Sequence, residues 1–166
     1  ITLGDPAGIG AEVVGKALRE AAVDAWVFGS KRYAGAIPAS RFVDVGGEAP
    51  LRYGEIDAGY GRVALASIEA AVDAIDEGHC SALVTAPIHK GAIALAGSPH
   101  PGHTEILASR AGLHRYGWDY AMFFDSPRLR TVLLSVHESQ REAIESIGAE
   151  KIAALEGENR KSGKSK

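Results

Sequence analysis

The sequence predicts an α/β fold: a mostly parallel sheet flanked by helices, with one antiparallel hairpin. Three observations carry this expectation. Short, continuous apolar runs alternate with stretches whose apolar residues recur at helical spacing. Glycine supplies 20 of the 166 residues and clusters in short loops between those runs, as tight strand-to-helix turns require. The turn signal Asp125-Ser126-Pro127-Arg128 separates two apolar runs that are close in sequence, as in a hairpin.

Each element follows in order. Ile1–Leu3 reads as the end of a first strand, and Ile9–Ala22 as the helix after a glycine loop. Trp26-Val27-Phe28, closed by Gly29, and Phe42-Val43-Asp44-Val45, closed by Gly46-Gly47, fit strands buried on both faces. From Gly61 to Asp76, Val63, Leu65, Ile68, Ala71, Val72 and Ile75 mark one helical face, with a stop at Gly78. Ser81–Thr85 is the next strand, ended by Pro87, and short helices are expected over His89–Ala96 and Thr104–Ala111. Tyr120–Phe124 and Leu129–Val136 form the hairpin, with Trp118, Tyr120, Phe123 and Phe124 as a core cluster. A last amphipathic helix carries Ile144, Ile147, Ile152 and Leu155.

Composition narrows the function classes. The 46% hydrophobic and 23% charged fractions are those of a globular chain and argue against a disordered or fibrous one. No run approaches the ~18 apolar residues of a membrane span, and Ile1-Thr2-Leu3-Gly4-Asp5 lacks the pattern of a secretory signal. Ile1 is not methionine, so a trimmed start is expected. A lone cysteine, Cys80, excludes an internal disulfide and a multi-thiolate metal site, and a reducing, cytoplasmic location is the simplest expectation. The net charge of −3 speaks against nucleic acid as the partner. The last ten residues, 157–166, carry Arg160, Lys161, Lys164 and Lys166 against Glu158 and read as a flexible basic tail, leaving 1–156 as the α/β lobe.

Four motifs could carry chemistry. Gly4-Asp5-Pro6-Ala7-Gly8-Ile9-Gly10-Ala11-Glu12 joins a strand to a helix, where exposed amides favour anions. Its glycines, at 4, 8 and 10, follow neither the dinucleotide fingerprint nor a Walker loop, and a turn that only packs strand on helix is equally compatible. Thr85-Ala86-Pro87-Ile88-His89-Lys90-Gly91 stands at a strand's carboxyl end, where α/β sheets bind ligands; His89 and Lys90 suit an acid or an anion contact, or simple solvation. In Pro99-His100-Pro101-Gly102-His103-Thr104-Glu105, His103 and Thr104 enter a helix and could hold an oxyanion or serve as its cap. His137 closes the apolar run Val132–Val136; a strand-end histidine suits a metal ligand, but one histidine cannot make a metal site, and on its own it reads first as a satisfied buried imidazole. His79 and His114 fall in surface loops without a role.

Together, Gly4–Gly10, Thr85–Gly91, Gly102-His103-Thr104-Glu105 and the run to His137, in that order, resemble the 4-hydroxythreonine-4-phosphate dehydrogenase family of pyridoxal phosphate biosynthesis over residues 1–156. The resemblance implies the N-terminal portion of an enzyme about twice this length. It implies a three-layer αβα architecture of the isocitrate/isopropylmalate dehydrogenase type, with two lobes around a cleft, in a homodimer. It implies substrate binding by His103 and Thr104, one metal ligand at His137, and a cleft lined by Asp5, Gly8, His89 and Lys90. The reaction implied is metal-dependent oxidation of 4-phosphohydroxy-L-threonine by NAD or NADP, followed by decarboxylation, with zinc, magnesium or cobalt as the metal. The isolated chain would then be inactive, the remaining metal ligands lying beyond it. The chain departs from the family at Ala11, where proline is usual, and at Glu138-Ser139-Gln140, where Pro-Leu follows a small residue. Two alternatives stand beside this reading: a dehydrogenase of another phosphorylated hydroxy acid, such as a four-carbon sugar-acid phosphate, and a non-catalytic phosphate-binding module.

Overall fold

A computed structural model describes residues 1–21, 23–136 and 138–162, with side chains described through residue 156. The chain divides into two compact units, Ile1–His103 and Thr104–Lys166.

The first unit is built on parallel pairing around the N-terminal segment. Strand β1 (Trp26–Gly29) pairs in parallel with β2 (Arg41–Asp44), from Trp26 opposite Arg41 to Gly29 opposite Asp44. On its other edge β1 meets Ile1–Leu3: Phe28 N donates to Ile1 O at 2.8 Å and Leu3 N to Phe28 O at 3.0 Å. Beyond that segment lies the chain at Val84–Ala86, through Thr2 N to Val84 O at 2.9 Å and Ala86 N to Thr2 O at 3.0 Å. The spatial order is therefore β2, β1, residues 1–3, residues 84–86, all parallel. The chain starts in the middle, steps outward twice, then returns to the opposite side.

Helices cover both faces of this sheet because neighbouring strand residues point opposite ways. Val27 packs with Val14 and Leu18 of α1 (Gly10–Glu20), together with Leu3 and Ala86. Phe28, on the other face, packs with Ala71 and Ala74 of α3 (Ala58–Asp76). Val27 and Phe28 are at most 2% exposed, and each such burial stabilises by about 1.5–3 kcal/mol. The short α2 (Lys31–Ala34) follows β1. Asp57 caps α3 by accepting from Gly59 N at 2.6 Å. Helix α4 (Lys90–Leu95) ends the first unit's regular structure, apart from the opening residue of α5 (His103–Arg110).

The second unit holds the rest of α5, an antiparallel hairpin of β3 (Phe123–Asp125) and β4 (Arg130–Val132), then α6 (Gln140–Ser146) and α7 (Ala149–Ser162). Ser126 holds the turn, its hydroxyl donating to Leu129 O at 2.8 Å and accepting from Leu129 N at 3.0 Å.

Several expectations need correction. The strand over Ser81–Thr85 is only a bridge at Thr85, since its partner, residues 1–3, offers a very short edge. The hairpin strands stop at Asp125 and Val132 rather than spanning Tyr120–Phe124 and Leu129–Val136. The final helix is two helices: a capping box of Ser139 and Glu142 starts α6, and the chain turns extended at Ile147 before Gly148. Trp118, Phe123 and Phe124 are 39%, 42% and 54% exposed and form no core. His137 and residues 163–166 lie outside the described residues. Among the described residues, no helix is long and apolar enough to cross a membrane.

Candidate functional site

The order of strands in the first unit reverses between residues 1–3 and 84–86. Ligands of open α/β sheets bind beyond the carboxyl ends of strands at such a reversal. The loops that leave these two strands are Gly4–Ile9 and Pro87–His89, and between them lies a pocket of about 290 Å³. Its walls are mostly apolar, from Ala7, Ile9, Pro87 and Ile88, with Asp5, Glu55 and His89 as the ionisable groups and Gly8 at its side.

The loops are fixed by close backbone contact. Asp5 N donates to Pro87 O at 3.0 Å, tying one strand exit to the other. Gly4 has φ 70°, and a Cβ there would stand 2.2 Å from Pro87 O, so the turn admits glycine alone. A Cβ on Gly10 would meet Leu3 O at 1.9 Å, which lets α1 start directly against the strand it follows.

The first motif does not present all its amides to a ligand. Asp5 is 7% exposed and its Oδ1 accepts from Ala7 N at 2.7 Å, while Asp5 O accepts from Gly8 N at 3.0 Å. The loop thus supplies its own anion. Across the pocket, His89 caps α4, its Nδ1 accepting from Ala92 N at 3.3 Å; a neutral ring then carries its proton on Nε2. Lys90 begins α4, is exposed, and does not line the pocket.

His103 opens α5 and Thr104 follows it, so both sit in the first turn of an eight-residue helix, not before it. Both are half-buried. The His103 Nε2 is buried without a hydrogen-bond partner, and burial holds the imidazole pKa below its usual value. A buried polar atom without a partner is costly, so a ligand that meets it gains from doing so. Donor amides at the helix start and a neutral imidazole together suit an oxyanion. His103 is not part of the switch-point pocket.

The structure thus gathers Asp5, Gly8 and His89 around one pocket and leaves Lys90 outside it. Sequence reasoning passed over Gly54 and Glu55, which also line it. Gly54 N reaches Ala7 O at 3.3 Å, a link across nearly fifty residues that no local pattern signals. For a metal the described residues do not suffice: no group of three or more His, Cys, Asp or Glu among them could hold an ion.

Comparison with known proteins decides the lineage, for residues 9–161 match the family described as pyridoxal phosphate biosynthetic protein PdxA. The chain belongs to the PdxA family. A 4-hydroxythreonine-4-phosphate dehydrogenase of Burkholderia vietnamiensis is 37% identical over 157 residues, covering 82% of this chain and 47% of that protein. A relative from Oceanobacillus iheyensis, provisionally named D-threonate 4-phosphate dehydrogenase, is 32% identical over 102 residues, 61% of this chain and 30% of its own length. The crystal structure of the 4-hydroxythreonine-4-phosphate dehydrogenase from Klebsiella pneumoniae superposes with a TM-score of 0.81 at 30% identity, over 94% of this chain and 55% of that one. This PdxA-family chain spans about half, or less, of the length of these relatives.

Proposed function

We propose that this chain is the N-terminal, substrate-holding part of a dehydrogenase that oxidises 4-phosphohydroxy-L-threonine with NAD or NADP and decarboxylates the product, in vitamin B6 biosynthesis. Family membership over residues 9–161 is the observation that carries the reading. The nicotinamide would supply a hydride acceptor for the substrate's C–OH carbon. His103 and Thr104 hold the substrate's phosphate at the start of α5, where the orphaned Nε2 and the first-turn amides face an oxyanion's needs. The switch-point pocket receives a less anionic part of the assembly. Metal dependence is proposed through His137 with ligands from beyond this chain, and no step is drawn through the ion. Residues 1–156 form a lobe of an isocitrate/isopropylmalate dehydrogenase-type αβα fold, residues 157–166 a basic tail, and the enzyme is a cytoplasmic homodimer.

A second reading, oxidation of D-threonate 4-phosphate, is favoured by the likeness to the Oceanobacillus iheyensis relative. Both substrates carry a phosphate and a hydroxyl near a carboxylate; only the first carries an ammonium. The complete gene product containing this chain, assayed for NAD(P)H formation, separates them. Turnover of 4-phosphohydroxy-L-threonine is expected; turnover of D-threonate 4-phosphate alone, or of neither, overturns the first reading.

A further inference from the structure

Ser30 carries a buried hydroxyl that the fold leaves without a partner. It is 3% exposed, and its Oγ has no hydrogen bond among the described residues. A serine just before a helix ordinarily turns its hydroxyl back to cap it. Ser30 precedes α2 without capping it, and Asp44 of β2 takes that part instead, its Oδ1 accepting from Lys31 N at 3.0 Å. Behind Ser30 the loop after β2 packs closely, so that a Cβ on Gly47 would stand 3.4 Å from Oγ. Ahead of it lies a void of about 10 Å³ beside the Gly4–Pro6 turn, and none of the residues lining it is exposed. That is about the least space that admits one water.

Other polar groups at this void are committed elsewhere. Tyr33 gives its hydroxyl proton to Ala49 O, and Asp5 Oδ1 accepts from Ala7 N at 2.7 Å. Gly4 is the exception. It has no side chain, so it meets the void with backbone atoms, and its N–H and C=O are not among the described backbone hydrogen bonds. A buried hydroxyl left unpaired loses its hydration without return, and one water between Ser30 and Gly4 restores it.

We propose that this void binds one ordered water, hydrogen-bonded to Ser30 Oγ and to the backbone of Gly4. Through that water Ser30 is a positioning residue for the Gly4–Ile9 loop, one wall of the switch-point pocket. The water joins the exits of β1 and of residues 1–3 where their direct pairing has stopped, the last backbone bond between them being Leu3 N to Phe28 O. The site stands on the hydroxyl and the void, whatever reaction the enzyme performs.

Crystal structures of the complete gene product at atomic resolution, unaltered and as Ser30→Ala, test the site. One water is expected within hydrogen-bond distance of Ser30 Oγ and of a Gly4 backbone atom, and it should be gone in Ser30→Ala. Amide hydrogen exchange tests the positioning. Asp5 N and Ala7 N should exchange about fivefold to tenfold faster in Ser30→Ala, the scale of one lost hydrogen bond, while the amides of α3 keep their rates. If Ser30→Ala does not fold, Ser30→Cys, similar in shape but a weak donor, takes its place in both measurements. A dry void, or a Ser30 Oγ bonded directly to a protein group, overturns the site. A water that stays in place in the variant, unchanged exchange at Asp5 and Ala7, or acceleration spread equally over α3 overturns the positioning role.

Discussion

In the first unit Val27, on the sheet, and Ile68 and Ile93, on α3 and α4, are fully buried; α1 packs on one face of the sheet around Val27 and α3 on the other around Phe28. In the second, Ile106 and Ala108 are the apolar residues buried among those described, while Phe124, Leu129 and Ile144 are 54%, 67% and 72% exposed. The two units have comparable patterns of apolar runs in sequence. What differs is cover. The first unit folds its own helices onto its own sheet; the second leaves a hairpin and two helices with apolar residues facing out. Rigid, self-covered structure is what fixes a crevice to sub-ångström tolerance, so the better-positioned candidate groups are those of the first unit.

Two glycines of nearly identical backbone, Gly4 at φ 70° and Gly112 at φ 68°, separate the two units most strongly. A Cβ on Gly4 collides with Pro87 O, whereas one on Gly112 meets nothing within 4 Å. Gly4→Ala should cost at least about 3 kcal/mol, from strain plus displacement of the strand exits. Gly112→Ala should cost about 1–2 kcal/mol, the left-handed penalty alone. Urea denaturation of the two variants measures the difference, and equal losses would mean the first unit's loops are no more fixed than the second's.

The exposed apolar residues predict association next. The chain should grow in apparent mass with concentration in light scattering, consistent with the proposed homodimer, and Phe124→Lys with Ile144→Lys should shift it towards monomer. A monomer at all concentrations would show that the second unit needs no partner.

The smallest effect concerns pH. Burial holds the folded pKa of His103 below its usual value near 6.5. On acidification the unfolded chain takes up that proton first, so His103 contributes stability above about 6.5 that is lost as pH falls from there to the lower folded value. His103→Gln should flatten the stability profile in that window and leave it unchanged at pH 8.

Much of the first unit was legible because local signals agreed. Helical spacing with a glycine stop located α3 within three residues at its start, and Gly29 and Gly46-Gly47 bracketed β1 and β2. The failures share one physical cause: periodicity says which face is apolar, not what covers it. The aromatic cluster at 118–124 read as core on pattern, yet Trp118, Phe123 and Phe124 stand exposed, and so do Ile144, Ile147 and Ile152 of the run read as an amphipathic helix. The run at Ser81–Thr85 read as a strand, but Val84 is 61% exposed and only a bridge forms. At the site, the glycine motif was legible as a turn, whereas its charge was not. Asp5 could have been a ligand to solvent; instead it takes the loop's own amide, a choice made by the fold of Gly4 against Pro87.

The proposed function holds a phosphorylated substrate at the start of α5. Calorimetric titration of the complete gene product with 4-phosphohydroxy-L-threonine tests it, comparing His103→Ala with His79→Ala and His114→Ala, two exposed histidines of the same chain. Loss of one charge-assisted contact should weaken binding about tenfold or more in His103→Ala, with the other two unchanged. Equal affinities in all three variants would contradict it.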